Sequence, residues 1–190
     1  MARSKSEDKR EAILAAAIRV FAERGVWLAP TSAISRTAGV AEGTLFTYFA
    51  TKDALANELY RVLKHDLADA LLSDFPESAL MRGKLQHLWN CYVDWGVANP
   101  DKIKVLAQLQ VSDQITAESQ AIGAAPFAAI ERLANEGVAS GLIANYPIPF
   151  VAALFTSMVE TTMAAMAAGD GEQDYRATGF EIFWRGITTI

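Results

Sequence analysis

Residues 31–55 are the most constraining stretch of this 190-residue chain, because two short helical patterns flank a glycine there. The first pattern includes Ile34 and ends at Gly39, a residue type that adopts positive φ angles without strain. The second includes Leu45 and Phe49, which are four residues apart and therefore share one side of a helix. Two short helices joined by a glycine-bearing turn are typical of a helix-turn-helix, whose second helix can enter the major groove of DNA. This stretch predicts a DNA-binding element rather than an active site.

The same stretch resembles the DNA-binding segment of the TetR family of transcriptional repressors. Four groups of adjacent residues carry the resemblance: Ala38-Gly39-Val40, Gly43-Thr44-Leu45-Phe46, Tyr48-Phe49 and Thr51-Lys52-Asp53-Ala54-Leu55. So many residue types at fixed spacing are a far more specific signal than a lone glycine pattern. Weaker similarity extends over the whole chain. The family often has Ser at the position of Ala41 and Tyr at that of Phe46, so two hydroxyl groups that could meet phosphates are absent here.

The resemblance implies that the second helix of the motif lies in the major groove. The predicted DNA contacts are Arg36, Glu42, Gly43, Thr44, Thr47, Tyr48 and Lys52. Glu42 and Thr47 are the candidates for base discrimination, since a carboxylate accepts from cytosine and threonine touches a thymine methyl; the others suit phosphate or backbone approach. Two alternatives stay open: Tyr48 as a core residue, and Glu42 as a solvated residue stabilised by the helix dipole.

Charge is distributed unevenly along the chain. The net charge is −5, which by itself argues against a nucleic-acid partner. Through Asp53, however, there are eight Lys/Arg and six Asp/Glu, whereas from Ala54 onward there are nine and sixteen. A mildly basic N-terminal segment (the head, through Asp53) followed by an acidic remainder (the body) suits a protein that contacts double-stranded DNA at one end only.

Helical periodicity recurs along the whole chain, and no alternating pattern is long enough to predict a sheet. We therefore expect an all-α fold of about nine helices: a helix-turn-helix DNA-binding domain over residues 1–50 and a helical effector-binding and dimerisation domain over residues 51–190. A long helix from Lys52 is expected to link head and body. Pro126 is expected to interrupt the helical segment that follows residue 113. Trp27 and Leu28, which precede Pro30, are expected to fold back into the core.

The last two helices are the expected dimer interface, which the family forms as a four-helix bundle from two subunits. A two-fold dimer would place two reading helices about 34 Å apart, one turn of duplex. The alternative is that these helices only close the core of the monomer. The candidate interface residues are Phe150, Leu154, Met158, Phe180, Phe183, Trp184 and Ile187.

The resemblance also implies a small effector held between the helices of the body. The chain looks similar to members that respond to large hydrophobic or cationic compounds, such as bile acids and antimicrobials, through MARSKSEDK, AGVAEGTLFTYFATKD, WNCYVDWG and VETTM. Aromatic faces bind flat apolar or cationic molecules, and the carboxylate of Asp94 or Glu160 could form an ion pair with a cationic effector. For each aromatic residue an ordinary core position is at least as well supported. The candidate wall residues are Tyr60, Trp89, Tyr92, Phe127 and Phe155.

Catalysis and cofactors are poorly supported by the sequence. His65 and His87 have no neighbouring residues of the kind that complete a metal site, so no metal or cofactor is expected. The one cysteine, Cys91, excludes an internal disulfide and indicates a reducing, cytoplasmic setting. The apolar segment from Ile148 approaches the length of a membrane span, but it contains Glu160, so a buried or interface helix is expected instead.

These observations predict a ligand-responsive transcriptional regulator and not an enzyme. The resemblance implies a homodimeric repressor that binds a palindromic operator and is released by its effector, with efflux or drug-response genes as expected targets. Two alternatives come from other classes of protein. One is an all-α enzyme that uses Asp94 or Glu160 as a base, and the other is a helical module whose head docks a protein.

Overall fold

The structure is a computed structural model that describes residues 5–169 and 173–189. The all-α expectation is confirmed for these residues, which contain no strand beyond one isolated bridge between Ile143 and Thr188. Pro126 lies in a 3₁₀ turn, Ala125–Phe127, which interrupts the helical segment as expected. The ten α-helices of the described residues are α1 Lys5–Arg24, α2 Thr31–Thr37, α3 Glu42–Tyr48, α4 Lys52–Leu72, α5 Met81–Ala98, α6 Pro100–Gln110, α7 Ala117–Ala124, α8 Ala128–Ala139, α9 Ile148–Ala168 and α10 Tyr175–Ile187.

The described residues divide into two compact units. The first comprises Met1–His65 with Asn99–Ala124, and the second comprises Asp66–Ala98 with Ala125–Ile190. Helix α4 contributes residues to both units, and α6 belongs to the first because it packs against α1. The expected boundary at residue 50 divides the chain by function, into a DNA-binding domain and an effector-binding domain, and does not coincide with these compact units. That boundary stays a prediction.

The core of the first unit is built on one stripe of α1. Ile13, Ala17 and Phe21 are fully buried, as the helical spacing predicts. Gly25 ends the helix with a φ of +83°, a conformation that a residue without Cβ adopts at little cost. Helix α1 packs against α2 and α6.

The connection between α1 and α2 differs from the expectation. Leu28 is 85% exposed and Trp27 is 37% exposed, so neither is a core residue in the sense predicted. The smaller Val26 and Ala29 fill the core there instead, at 0% and 1% exposure. Residue size was misleading here because the backbone, not hydrophobicity alone, decides which side chains of a short connection point inward.

In the second unit α5, α9 and α10 each pack against the other two. Trp89 of α5 is completely buried, and its ring lies 5.6 Å from Phe155 of α9 and 6.0 Å from Phe183 of α10, measured between ring centroids. The indole N–H of Trp89 donates to the carbonyl oxygen of Arg176 at 3.1 Å. This aromatic contact fixes the three helices against one another.

Candidate DNA-binding and effector sites

Helices α2 and α3 are joined by a tight turn at residues 38–41. Gly39 has a φ of +68°, which a residue with a side chain rarely adopts. The amide of Val40 donates to the carbonyl of Ser35 at 3.0 Å and closes the turn. Ile34 and Leu45, both fully buried, anchor the two helices on the core. The motif is therefore rigidly backed on one side and exposed on the other.

The seven predicted DNA contacts lie on or beside the exposed side of this motif. Arg36, Glu42, Gly43 and Thr47 are exposed. The remaining three, Thr44, Tyr48 and Lys52, are half-buried. Arg36 forms no ion pair within the part of the chain that the structure describes, so its guanidinium is available for a phosphate.

Three of the predicted polar contacts already have partners inside the protein. The hydroxyl of Thr31 donates to the carboxylate of Glu42 at 2.8 Å, and the hydroxyl of Thr47 donates to the carbonyl of Gly43 at 2.9 Å. The hydroxyl of Tyr48 lies 3.1 Å from that of Ser6 on α1. Glu42 and Tyr48 thus gain positioning roles that their residue types alone do not indicate.

Lys52 also has a structural partner. Its Nζ donates to the carbonyl of Trp27 at 2.7 Å and lies 5.9 Å from the centre of the Phe21 ring. Partial burial lowers the pKa of Lys52, an effect that the nearby carboxylate of Asp53 opposes. The ammonium therefore ties the α1–α2 connection to the start of α4, in addition to any phosphate that it meets.

Gly43 provides a direct test of close backbone approach to DNA. A Cβ added at Gly43 would meet no heavy atom within 4 Å in the free protein. The Gly43→Ala variant should keep or slightly increase its stability, by up to about 1 kcal/mol, because alanine is the better helix former. Its affinity for DNA should fall about tenfold if the backbone of α3 lies against the duplex. Thermal melting and a fluorescence anisotropy titration measure the two effects separately, and unchanged affinity would show that α3 stands away from the DNA.

Three of the five predicted effector-wall residues lie together in the second unit. Tyr92 and Phe155 have ring centroids 6.4 Å apart, and Phe155 also contacts Trp89. Phe155 is half-buried, whereas Trp89 is 0% exposed and Tyr92 is 3% exposed. The core interpretation is therefore favoured for Trp89, and Phe155 is the most accessible member of the group.

The other two residues predicted to line the effector pocket are Tyr60 and Phe127. Tyr60 belongs to the first unit, where it packs on α7 beside Gly123, and burial raises the pKa of its hydroxyl. Phe127 ends the 3₁₀ turn before α8 and is half-buried. Tyr60 and Phe127 stay predictions as residues of the effector site.

The two acidic candidates differ in their surroundings. Asp94 is 63% exposed at its side chain and forms an ion pair with Arg176 at 2.5 Å. Glu160 is half-buried on α9, and burial raises the pKa of its carboxyl group. The pKa of Tyr92 is raised first by burial and then by the charge of Glu160, while a hydrogen bond with Thr156 acts in the opposite direction. Glu160 is therefore the carboxylate whose charge acts on Tyr92, whereas Asp94 is paired with Arg176.

The predicted dimer residues separate into two groups. Phe180, Phe183 and Ile187 are 1%, 3% and 2% exposed, so they are already covered within one chain, and their part in an interface stays a prediction. Phe150 and Leu154 are 64% and 39% exposed on α9, while Met158 and Trp184 are half-buried. The accessible candidates therefore lie mainly on α9, and α10 adds the exposed Ile182, which sequence reasoning missed.

Helix α9 is long and apolar enough to cross a membrane by length and composition alone, the one such helix in the described part of the chain. Only Val151, Val159 and Thr162 of its residues are buried. An apolar helix that the described residues leave largely uncovered favours another covering surface.

No group of three or more His, Cys, Asp or Glu side chains within residues 5–169 and 173–189 could hold a metal ion. The Sγ of Cys91 lies 3.4 Å from Nε2 of His87. Burial raises the pKa of the Cys91 thiol, and the charges of Asp94 and Asp74 raise it further. The thiol is therefore held in its protonated, weakly nucleophilic form.

Comparison with known proteins finds a family match in the N-terminal segment. Residues 13–59 match the family model described as bacterial regulatory proteins, tetR family. The fatty acid metabolism regulator protein of Bacillus subtilis strain 168 is 33% identical over 73 residues, which are 38% of this chain and 38% of that protein. The matched part thus spans well under half of the curated relative.

Solved structures extend the likeness to the whole chain. A putative tetR family transcription regulator from Shewanella sp. PV-4 is 26% identical, with a TM-score of 0.86 over 96% of this chain and 99% of that one. The regulator FadR from Bacillus subtilis, solved in complex with stearoyl-CoA, is 20% identical with a TM-score of 0.72 over 94% and 99% of the two chains. The second likeness shows the fold alone.

Proposed function

We propose that this chain, whose residues 13–59 match the model of the tetR family of bacterial regulatory proteins, is a cytoplasmic, homodimeric repressor released from a palindromic operator by a small effector. The observation that carries the proposal is the helix-turn-helix, in which α3 presents Gly43 and Thr47 to solvent on a rigidly packed base. Such a helix can enter the major groove, with Arg36 placed for a flanking phosphate. Genes for efflux or drug response are the targets that the effector class suggests.

A second copy of the chain is the proposed cover for α9. One head contacts few base pairs, and two heads related by two-fold symmetry gain affinity from each other. The exposed Phe150 and Leu154 supply an apolar surface of the kind that dimer interfaces bury.

The proposed effector is a hydrophobic molecule that is neutral or cationic. Phe155 is half-buried and lies against the ring of Tyr92, and the charge of Glu160 contributes to the raised pKa of Tyr92. A carboxylate beside aromatic rings attracts a lipophilic cation and repels an anion. This charge argues against transferring to this chain an anionic ligand such as the stearoyl-CoA bound to the Bacillus subtilis structure.

Replacing Glu160 by glutamine tests the effector class. The affinity for a lipophilic cation such as a quaternary ammonium antimicrobial should fall about fivefold, the range expected for a half-exposed charge pair. The affinity for an uncharged compound of similar shape should not change. Isothermal titration calorimetry with both ligands measures the difference, and tighter binding of an acyl-CoA to the parent chain than of either compound would contradict the proposal.

The same variant has a pH signature in the absence of ligand. Because the folded-state pKa of Glu160 is raised above its ordinary value of 4.5, the folded state binds the proton more tightly than the unfolded state. The parent chain should therefore be most stable relative to Glu160→Gln below pH 4.5 and should lose that advantage as the pH rises through the folded pKa. Urea unfolding of both proteins across this range measures the effect, and a parallel pH dependence would contradict it.

Helix α4 is the proposed route of coupling. In the first unit, Glu58 of α4 accepts from Arg10 of α1 and from Arg61, and Arg61 also donates to the hydroxyl of Ser119 on α7 at 2.9 Å. A displacement of α4 would therefore be passed to α1, on which the helix-turn-helix packs. Coupling of about 1–3 kcal/mol would lower operator affinity roughly 5- to 150-fold.

The decisive experiment is a binding titration on the DNA that flanks the protein's own gene. We expect sub-micromolar binding that weakens steeply with salt, because phosphate contacts release counterions. Lipophilic cations should weaken it further, whereas anionic bile acids should have less effect because the carboxylate of Glu160 repels them. Turnover of a bound compound without operator binding would favour an enzyme that uses Asp94 or Glu160, and salt-insensitive binding would favour a protein-docking module.

A further inference from the structure

Phe46 is the largest apolar side chain on the exposed side of α3. It is 41% exposed, whereas its neighbours Leu45 and Phe49 are 0% and 5% exposed. Single exposed apolar residues are common on protein surfaces. Phe46, however, lies on the helix that is proposed to enter the major groove, where the methyl group of thymine is an apolar partner for such a side chain.

The polar groups around Phe46 are already engaged. The carboxylate of Glu42 accepts from Thr31, and the hydroxyl of Thr47 donates to the carbonyl of Gly43. Gly43 itself has no side chain, and the space where a Cβ would lie is open to at least 4 Å. The exposed side of α3 therefore offers a phenyl ring beside a position where a base edge can approach closely.

We infer that Phe46 recognises a thymine in each operator half-site by packing its ring against the C5 methyl group. The thymine methyl is the one apolar mark on a base edge in the major groove, and phenylalanine is among the residues that contact it. The ring replaces the phosphate-directed hydroxyl that a tyrosine would bring, so this position contributes sequence discrimination rather than anchoring. The inference rests on the proposed function, since it requires that α3 binds DNA.

Uracil substitution isolates this contact, because deoxyuridine differs from thymidine by the methyl group alone. The probe is a duplex that the parent protein selects from a random library, with each thymine replaced in turn. At one thymine per half-site, the replacement should weaken binding of the parent chain about fourfold, the factor expected for burial of one methyl group. The Phe46→Ala variant should bind the unmodified duplex more weakly and show no further loss at that thymine.

Two other variants keep the test decisive. Phe46→Leu retains a smaller apolar side chain, so uracil substitution should lower its affinity by a smaller but measurable factor. This variant replaces Phe46→Ala in the test if Phe46→Ala binds too weakly to titrate. Leu28→Ala removes another exposed apolar side chain of the same unit and should keep the full fourfold effect. Thermal melting checks that each variant is folded.

The failures of the two proposals are distinguishable. If no duplex is selected, the proposed DNA-binding function fails and the Phe46 contact fails with it. If a duplex is selected but uracil has no effect at any thymine, or has the same effect on Phe46→Ala as on the parent, only the thymine contact is overturned.

Discussion

Replacing Phe150 and Leu154 together by aspartate is expected to yield a folded monomer that binds operator DNA at least about a hundredfold more weakly than the parent chain. Both side chains are exposed on α9, so the substitutions should not disturb the core of the single chain. In a dimer they would place four carboxylates in an apolar interface, where desolvation of each charge is costly. Loss of the dimer removes the second head and with it the gain from simultaneous binding.

Sedimentation equilibrium and a fluorescence anisotropy titration measure the two parts of this prediction. Leu80→Asp is the matched control, because Leu80 is an 85% exposed leucine of the same unit that lies between α4 and α5. That variant should remain dimeric and bind the operator like the parent. A Phe150→Asp, Leu154→Asp double variant that is still a dimer would show that α9 is not the interface.

Local patterns in the sequence were sufficient for the elements that depend on neighbours along the chain. The spacing of Ile13, Ala17 and Phe21 predicted the buried stripe of α1, since periodicity of 3.6 residues is a property of one helix. Gly39 predicted the turn between α2 and α3 because the required positive φ is a local demand. Pro126 predicted an interruption for a similar reason, the loss of a helical hydrogen bond.

The surface that covers an apolar stripe could not be predicted in the same way. The spacing of Phe180, Phe183 and Ile187 correctly indicated one apolar side of α10, but it left open whether the same chain or a second copy covers that side. The structure assigns all three to the core of one chain and leaves Phe150 of α9 exposed. Periodicity identifies which residues share a face, whereas the covering element is decided by tertiary packing.

Long-range hydrogen bonds were equally invisible in the sequence. Thr31 and Glu42 are 11 residues apart, and Ser6 and Tyr48 are 42 residues apart, yet each pair is within hydrogen-bonding distance. Their residue types and their places in the motif predicted Glu42 and Tyr48 as DNA contacts. Their intramolecular partners add a competing role that must be broken, or shared, when DNA binds.

The Trp89→Ala variant is expected to lose about 3–5 kcal/mol of unfolding free energy, the range for truncation of a buried aromatic residue. For a chain of this length that corresponds to a melting temperature about 10 °C lower. The substitution removes the ring that contacts Phe155 and Phe183 and leaves the carbonyl of Arg176 without its indole donor. Differential scanning calorimetry and urea unfolding measure the loss directly.

Trp27→Ala is the matched control, because Trp27 is 37% exposed and its carbonyl, which accepts from Lys52, is retained in alanine. It should lose much less stability than Trp89→Ala. Trp89→Phe should fall between the parent and Trp89→Ala, since it keeps most of the apolar volume but not the N–H donor. The two interpretations of Trp89 diverge in one measurement: a core residue lowers the melting temperature with or without effector, whereas a wall residue weakens effector binding at unchanged stability. Because the ring is completely buried, we expect the lower melting temperature of a core residue. An unshifted melting temperature for Trp89→Ala would instead support a place for Trp89 in the effector site.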